Sequence, residues 1–130
     1  MDQNFSVDAL SPLALAFVGD AVWEVFARKH CLNKGVRKPG ELHKLCTRYV
    51  SAKAQANLLE WLYPQLSEAE QDIVRRGRNA KSNHVRKNVD VVVYRYSTGF
   101  EALIGYLSGI GDEERLETLA RQSFAWIDNK

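Results

Sequence analysis

From Leu13 to Phe26 the chain is apolar almost without interruption, and this run constrains the fold more than any other feature. Ser11-Pro12 just before it is a helix start signal, because Ser can cap and Pro is tolerated at the first helical position. Leu13, Leu15, Phe17, Val18, Val22, Trp23, Val25 and Phe26 then cover the helix on nearly every side. A helix of that kind is normally central and buried. The run is interrupted by Asp20 and Glu24 and is too short to cross a bilayer. Other elements of the same chain must therefore enclose it. With 130 residues, a single domain over 1–130 is expected, large enough to bury a core without disulfides. Cys31 and Cys46 are too few and too far apart for a disulfide framework and fit reduced thiols. The first residues carry no basic stretch of the secretory kind. A cytoplasmic protein with no membrane segment is the expectation.

The remaining signals are helical as well. The first helix should run to about His30. Pro39-Gly40-Glu41 opens a second through about Tyr49, and Ser51 can cap a third that ends before Pro64. Ser67 to Glu70 has the S-x-x-E form of a capping box and opens a fourth, ending near Gly77. A fifth is expected from about Asn88 to Ser108. Val89, Val92, Tyr96, Phe100, Leu103 and Leu107 recur there at helical steps, although the valines and tyrosines also favour strand. A sixth starts at Asp112, after Gly111. The fold class is all-α, with about six or seven helices.

Two acids sit where apolar helices should not hold them. Asp20 lies within the first helix, one turn from Ala16, Phe17, Trp23 and Glu24, with Gly19 beside it. A carboxylate in such surroundings is costly unless paired, hydrogen-bonded or bound to metal. Glycine is a poor mid-helix residue, so its presence there suggests a close approach to the backbone. Glu101 repeats the pattern in Gly99-Phe100-Glu101-Ala102-Leu103-Ile104-Gly105. Ser97, Thr98, Gly105 and Ser108 share its face, which is small and polar and would leave room for a metal, water or phosphate. Either acid alone could emerge into water or pair with an arginine. Together, each flanked by glycine and an aromatic, they point to one shared site. Carboxylates from two packed helices can hold Mg2+, and Mg2+ beside a basic surface suits phosphodiester hydrolysis.

The basic surface is visible as a local charge excess. Net charge is only +2, but Ile73 to Val89 contains Arg75, Arg76, Arg78, Lys81, Arg86 and Lys87 and no acid. Those are six of 18 basic residues, so the remainder carries 12 against 16 acids. Such a segment is either a solvated loop or a footprint for phosphates.

Leu15-Ala16-Phe17-Val18-Gly19-Asp20-Ala21-Val22 resembles the first signature of the ribonuclease III family, and Phe100-Glu101-Ala102-Leu103-Ile104-Gly105 resembles the second. Ser51-Ala52-Lys53-Ala54-Gln55, the run Arg75 to Ser82, and Tyr94-Arg95-Tyr96-Ser97-Thr98-Gly99 are similar to its mini-ribonuclease III branch. The resemblance spans about Asp8 to Ile127 and leaves no residues for a double-stranded-RNA-binding domain. It implies an all-helical catalytic domain acting as a homodimer on double-stranded RNA, with precursor of large-subunit (23S) ribosomal RNA as substrate. It implies catalytic and metal-binding roles for Asp20 and Glu101. The six cations are then candidates to grip the RNA backbone, with Asn79, Ser82 and Asn83 as possible hydrogen-bonding partners. A-form RNA is read through phosphates and 2′-hydroxyls.

The sequence departs from the larger enzymes at three acids. Ala16 stands where they have a glutamate and Thr98 where they have an aspartate, and no glutamate lies near Arg78-Asn79. Glu24 could be recruited, though a solvated face is its simpler role. The Thr98 hydroxyl could hydrogen-bond a water at the metal. Zinc at His30, Cys31, His43 and Cys46 is a weaker reading, since adjacent His30 and Cys31 diverge on a helix and Cys46 reads as core. No glycine-rich phosphate loop or nucleophile triad is present. The missing acids keep one alternative in view: a non-catalytic helical RNA-binding or ribosome-assembly module. A purely structural dimerisation domain would leave the basic segment unexplained.

Overall fold

The computed structural model describes residues 3–81 and 90–130, and in them the chain is helical throughout. The helices are α1 (Pro12–Asn33), α2 (Pro39–Val50), α3 (Ala52–Leu62), α4 (Glu68–Asn79), α5 (Val91–Gly109) and α6 (Glu113–Asp128). Short 3-10 turns lie at Val7–Ala9 and Tyr63–Gln65. The start signals act as expected. Ser11 accepts from the Ala14 amide and Ser51 from the Ala54 amide, each at 3.1 Å. The Ser67–Glu70 capping box is formed in both directions. Asp90, which the sequence reading passed over, caps α5 by accepting from the amides of Val92 and Val93. The expected start of that helix at Asn88 lies outside the described residues.

The fourth helix ends at Asn79, close to the expected end near Gly77. Gly77 also serves in packing. One expectation needs correction: α1 is not buried all round. Leu15, Ala16, Gly19, Trp23, Ala27 and Cys31 form its inner face. Phe17 is 82% exposed and Val25 51% exposed on the other side. The central helix is α5, which packs on α1, α3, α4 and α6. Its Phe100, Leu103, Ile104 and Leu107 are all fully buried.

Two glycine pairs let α5 sit so deeply. A Cβ on Gly19 of α1 would overlap the carbonyl oxygen of Glu101 and lie 2.8 Å from the amide nitrogen of Gly105. A Cβ on Gly105 would overlap the carbonyl oxygen of Leu15. At the second crossing, a Cβ on Gly77 of α4 would lie 2.9 Å from Ala102 Cβ and 3.0 Å from Gly99 Cα. Backbone therefore rests on backbone at both crossings, which no larger residue allows.

Around these crossings the core closes with aromatic rings. Trp23 meets Phe100 edge-on at 4.8 Å and donates its indole N–H to the Tyr49 carbonyl at 2.9 Å. The carboxyl ends of α1 and α6 are joined at Asp128, which accepts from Tyr49 at 2.6 Å and pairs with His30 and Lys34. On the far side Arg115 of α6 grips the carboxylate of Glu70 with two hydrogen bonds, at 2.8 and 2.9 Å. That guanidinium holds the Glu70 carboxyl below its ordinary value, against the opposing effect of burial.

Replacing Gly105 with alanine should lower stability by about 3 kcal/mol, because the new methyl group must push α1 off α5. Gly40→Ala, with nothing within 4 Å of its Cβ, should change stability by less than about 0.5 kcal/mol. Urea denaturation of the two variants checks this, and equal midpoints would refute it. Glu70→Gln keeps a capping side chain but loses the charge. It should cost about 1–2 kcal/mol at neutral pH. A depressed folded pKa means that this contribution is full above the ordinary value of 4.5 and fades as pH falls through the lower folded value. Denaturation curves of variant and parent should therefore converge in acid, and a gap that does not change with pH would contradict the assignment.

Candidate active site

The crossing of α1 and α5 brings together the backbone segments that carry the two unusual acids. Gly19 presses on the carbonyl of Glu101, and Asp20 is the next residue after Gly19. Asp20 is exposed at the edge of the buried face of α1, and Glu101 is half-buried. The apolar surroundings expected for Asp20 are therefore absent on its outer side. The helix turns Leu15, Ala16 and Gly19 inward and leaves the carboxylate in solvent.

A third helix completes the border. Ala16 of α1, Ile73 of α4 and Ala102 of α5 meet in one small apolar cluster. α1 runs antiparallel to α5, as Leu15 and Gly19 face Gly105 and Glu101, and α4 meets α5 where Gly77 faces Gly99. One turn on from Ala16, α1 carries Asp20, and one turn on from Ile73, α4 carries Arg76. Asp20 and Arg76 are exposed, and Glu101 is half-buried.

The other predicted cations are placed less uniformly. Arg78 leaves the opposite flank of α4, with its guanidinium 5.6 Å from the centre of the Tyr96 ring. Arg75 points outward and is held by the Tyr63 hydroxyl at 3.1 Å and by Asp72 at 3.4 Å. Lys81 is exposed just past the helix end. Arg86, Lys87, Ser82 and Asn83 lie outside the described residues.

The small residues near Glu101 have structural duties that the sequence reading did not assign. Gly105 is filled by the backbone of α1 and does not leave an open space. The hydroxyls of Ser97 and Thr98 donate to the Tyr94 carbonyl at 2.8 and 3.0 Å. Glu24 turns away from this site. It pairs with Arg28 and accepts from the Cys46 thiol at 3.7 Å. Burial, reinforced by Glu24, pushes the Cys46 thiol up to about 12, and burial raises Cys31 as well. Both cysteines are thus protonated core thiols at neutral pH. Among the described residues no group of three or more His, Cys, Asp or Glu could hold a metal ion, so the zinc reading has no support.

Comparison with known proteins adds to this geometry. Residues 13–109 match the ribonuclease III domain model, a span that holds both Asp20 and Glu101. The chain belongs to the ribonuclease III family. It is 52% identical over 120 residues to the Mini-ribonuclease 3 of Brevibacillus brevis, covering 92% of this chain and 90% of that protein. The Staphylococcus aureus Mini-ribonuclease 3 is 42% identical over 130 residues, with 98% and 97% covered. A crystal structure of a Fusobacterium nucleatum protein superposes with a TM-score of 0.81 at 30% identity, covering 92% of this chain and 95% of that one. As a member of this family the chain is a double-strand-specific endoribonuclease, a hydrolase of phosphodiester bonds. No described helix is long and apolar enough to cross a membrane.

The placement of the arginines separates their expected effects on RNA. Arg76→Ala should weaken duplex binding and reduce the slope of log affinity against log salt by about 1. Arg75→Ala should change both little, since its guanidinium is already engaged by Tyr63 and Asp72. Fluorescence anisotropy across a salt series measures both, and equal losses would contradict this division.

Proposed function

We propose that Asp20 and Glu101 form the cutting centre for double-stranded RNA, that the centre works with Mg2+, and that two copies of the chain act together. The observation that supports this most is the Gly19–Glu101 backbone contact, which brings together the helix segments carrying the two acids. The donor set fits the ion. Magnesium is commonly held by one or two carboxylates together with waters and substrate phosphates, without an all-protein cage. Bound there, it would supply an activated water and neutralise charge on the phosphate and leaving oxygen.

This chain's own residues do the rest. Asp20 and Glu101 supply hard oxygen donors and fix where the ion stands. The glycine crossing holds those donors rigidly, because neither helix can slide without backbone collision. Arg76 and Lys81 attract and orient the phosphate backbone, while Arg78, anchored over Tyr96, lines the other flank. The absent family acids at Ala16 and Thr98 leave fewer protein ligands, so substrate phosphates carry more of the coordination. Thr98 then has a limited role, its hydroxyl proton being directed to Tyr94.

The outer stripe of α1 supports the homodimer. Phe17, Ala21 and Val25 are exposed and recur every four residues next to Asp20. A second copy packed there would bring two cutting centres onto one duplex, one for each strand. The resemblance to the mini-ribonuclease III branch supports precursor of 23S ribosomal RNA as substrate and the cytoplasm as location.

A labelled RNA duplex incubated with the protein in Mg2+ or in EDTA tests this reading. Paired cuts in Mg2+, none in EDTA, and losses of about 100-fold or more in Asp20→Asn and Glu101→Gln are expected. Binding without cutting, unaltered by either substitution, would instead favour the RNA-binding module.

A further inference from the structure

A second cationic surface, lined by neither Asp20 nor Glu101, lies where α2, α3 and the end of α6 meet. Arg48 of α2, Lys53 of α3 and Lys130 after α6 line an open groove of about 270 Å³. They are 5 and 77 residues apart in sequence and converge only in the fold. No acid lines the groove. Asp128, the nearest in sequence, is turned into the contact with Tyr49, His30 and Lys34. None of the three cations forms an ion pair among the described residues. Two of them are steadied by aromatic rings: the Lys130 ammonium stands 4.0 Å over Trp126, and the Arg48 guanidinium 5.9 Å from the Tyr49 ring centre.

Cationic side chains held over one concavity, with no acidic side chain in its lining, produce a focused positive potential. Ser51 and Asn57 add side-chain hydrogen-bonding groups to its wall. The amino-terminal end of α3 opens on the same groove, and its dipole adds to the field without defining the site. The chemistry that fits is a phosphate, held by ammonium and guanidinium together. We propose that this groove is a second anchor for the backbone of the RNA duplex, gripping phosphates away from the cut. The inference rests on the reading of the chain as a double-strand ribonuclease. It matters because a single domain that grips RNA only beside its cutting centre holds a long duplex weakly, and a remote contact lengthens the hold without entering the chemistry.

The test uses the Arg48→Ala/Lys53→Ala double variant in the full chain, compared with the parent. Binding of a duplex of about 30 base pairs is measured by anisotropy across a salt series, each protein carrying Asp20→Asn to prevent cutting. The expected result is an affinity loss of about 10-fold or more and a salt slope lower by about 2. Single-turnover cleavage at saturating RNA, measured without Asp20→Asn, should be unchanged, as should the thermal midpoint. Unchanged affinity and slope would overturn the anchor while leaving the nuclease intact. A parent chain that neither binds nor cuts duplex would overturn both readings. Inorganic phosphate and a mononucleotide form the second arm. If either protects the groove from lysine modification at Lys53 while duplex RNA does not, the groove is a free-anion site and the proposal fails.

Discussion

The contact on which the structure depends is between backbones. At Gly19 and Gly105 the helices α1 and α5 approach so closely that a single methyl group on either would strike a carbonyl oxygen. Gly77 and Gly99 repeat the arrangement between α4 and α5. These crossings pull α5 into the middle of the molecule, and the aromatic core around Trp23 and Phe100 closes over its inner side. They also determine where the chemistry can be. Asp20 follows Gly19, and Glu101 is the residue whose carbonyl Gly19 meets, so the spacing of their backbones follows from the packing. A looser crossing would keep both acids and lose the fixed relation between them.

Electrostatics divides the surface in a way that residue order conceals. Along the chain, positive charge is concentrated between Ile73 and Val89, and the remainder is net acidic. In space, that segment splits. Arg75 is engaged with Tyr63 and Asp72, Arg78 with Tyr96, and Arg76 is exposed on α4. Meanwhile Arg48, Lys53 and Lys130, scattered through the acidic remainder, gather over one groove. Charge acts over a Debye length of roughly 10 Å in salt, so neighbours in space count and neighbours in sequence need not.

Much of the architecture was legible because its signals are local. Ser11-Pro12, Ser51, the Ser67–Glu70 box and Asp112 each satisfy amides within three residues, so the helix starts could be read directly. Asp90 carried the same kind of signal and was overlooked beside the competing strand propensity of the valines. Gly77 lies near the end of α4 and also serves in packing, and only the position of Gly99 opposite it shows the second use. The reading of α1 as buried on all sides failed for a related reason. An apolar residue records a preference for burial but not what does the burying, and Phe17 finds no cover among the described residues.

The sequence by itself determined the all-helical class, the starts of α1, α2, α3, α4 and α6, and that Gly19-Asp20 and Glu101 are exceptional within apolar helices. It did so because caps, periodicity and a misplaced carboxylate are properties of a few consecutive residues. Only the tertiary structure decided that α5 is central, that Asp20 faces solvent, that Glu24 belongs to the α2 side, and that three distant cations share a groove. Those outcomes depend on which helices meet and at what register, and that is set by packing between residues tens of positions apart.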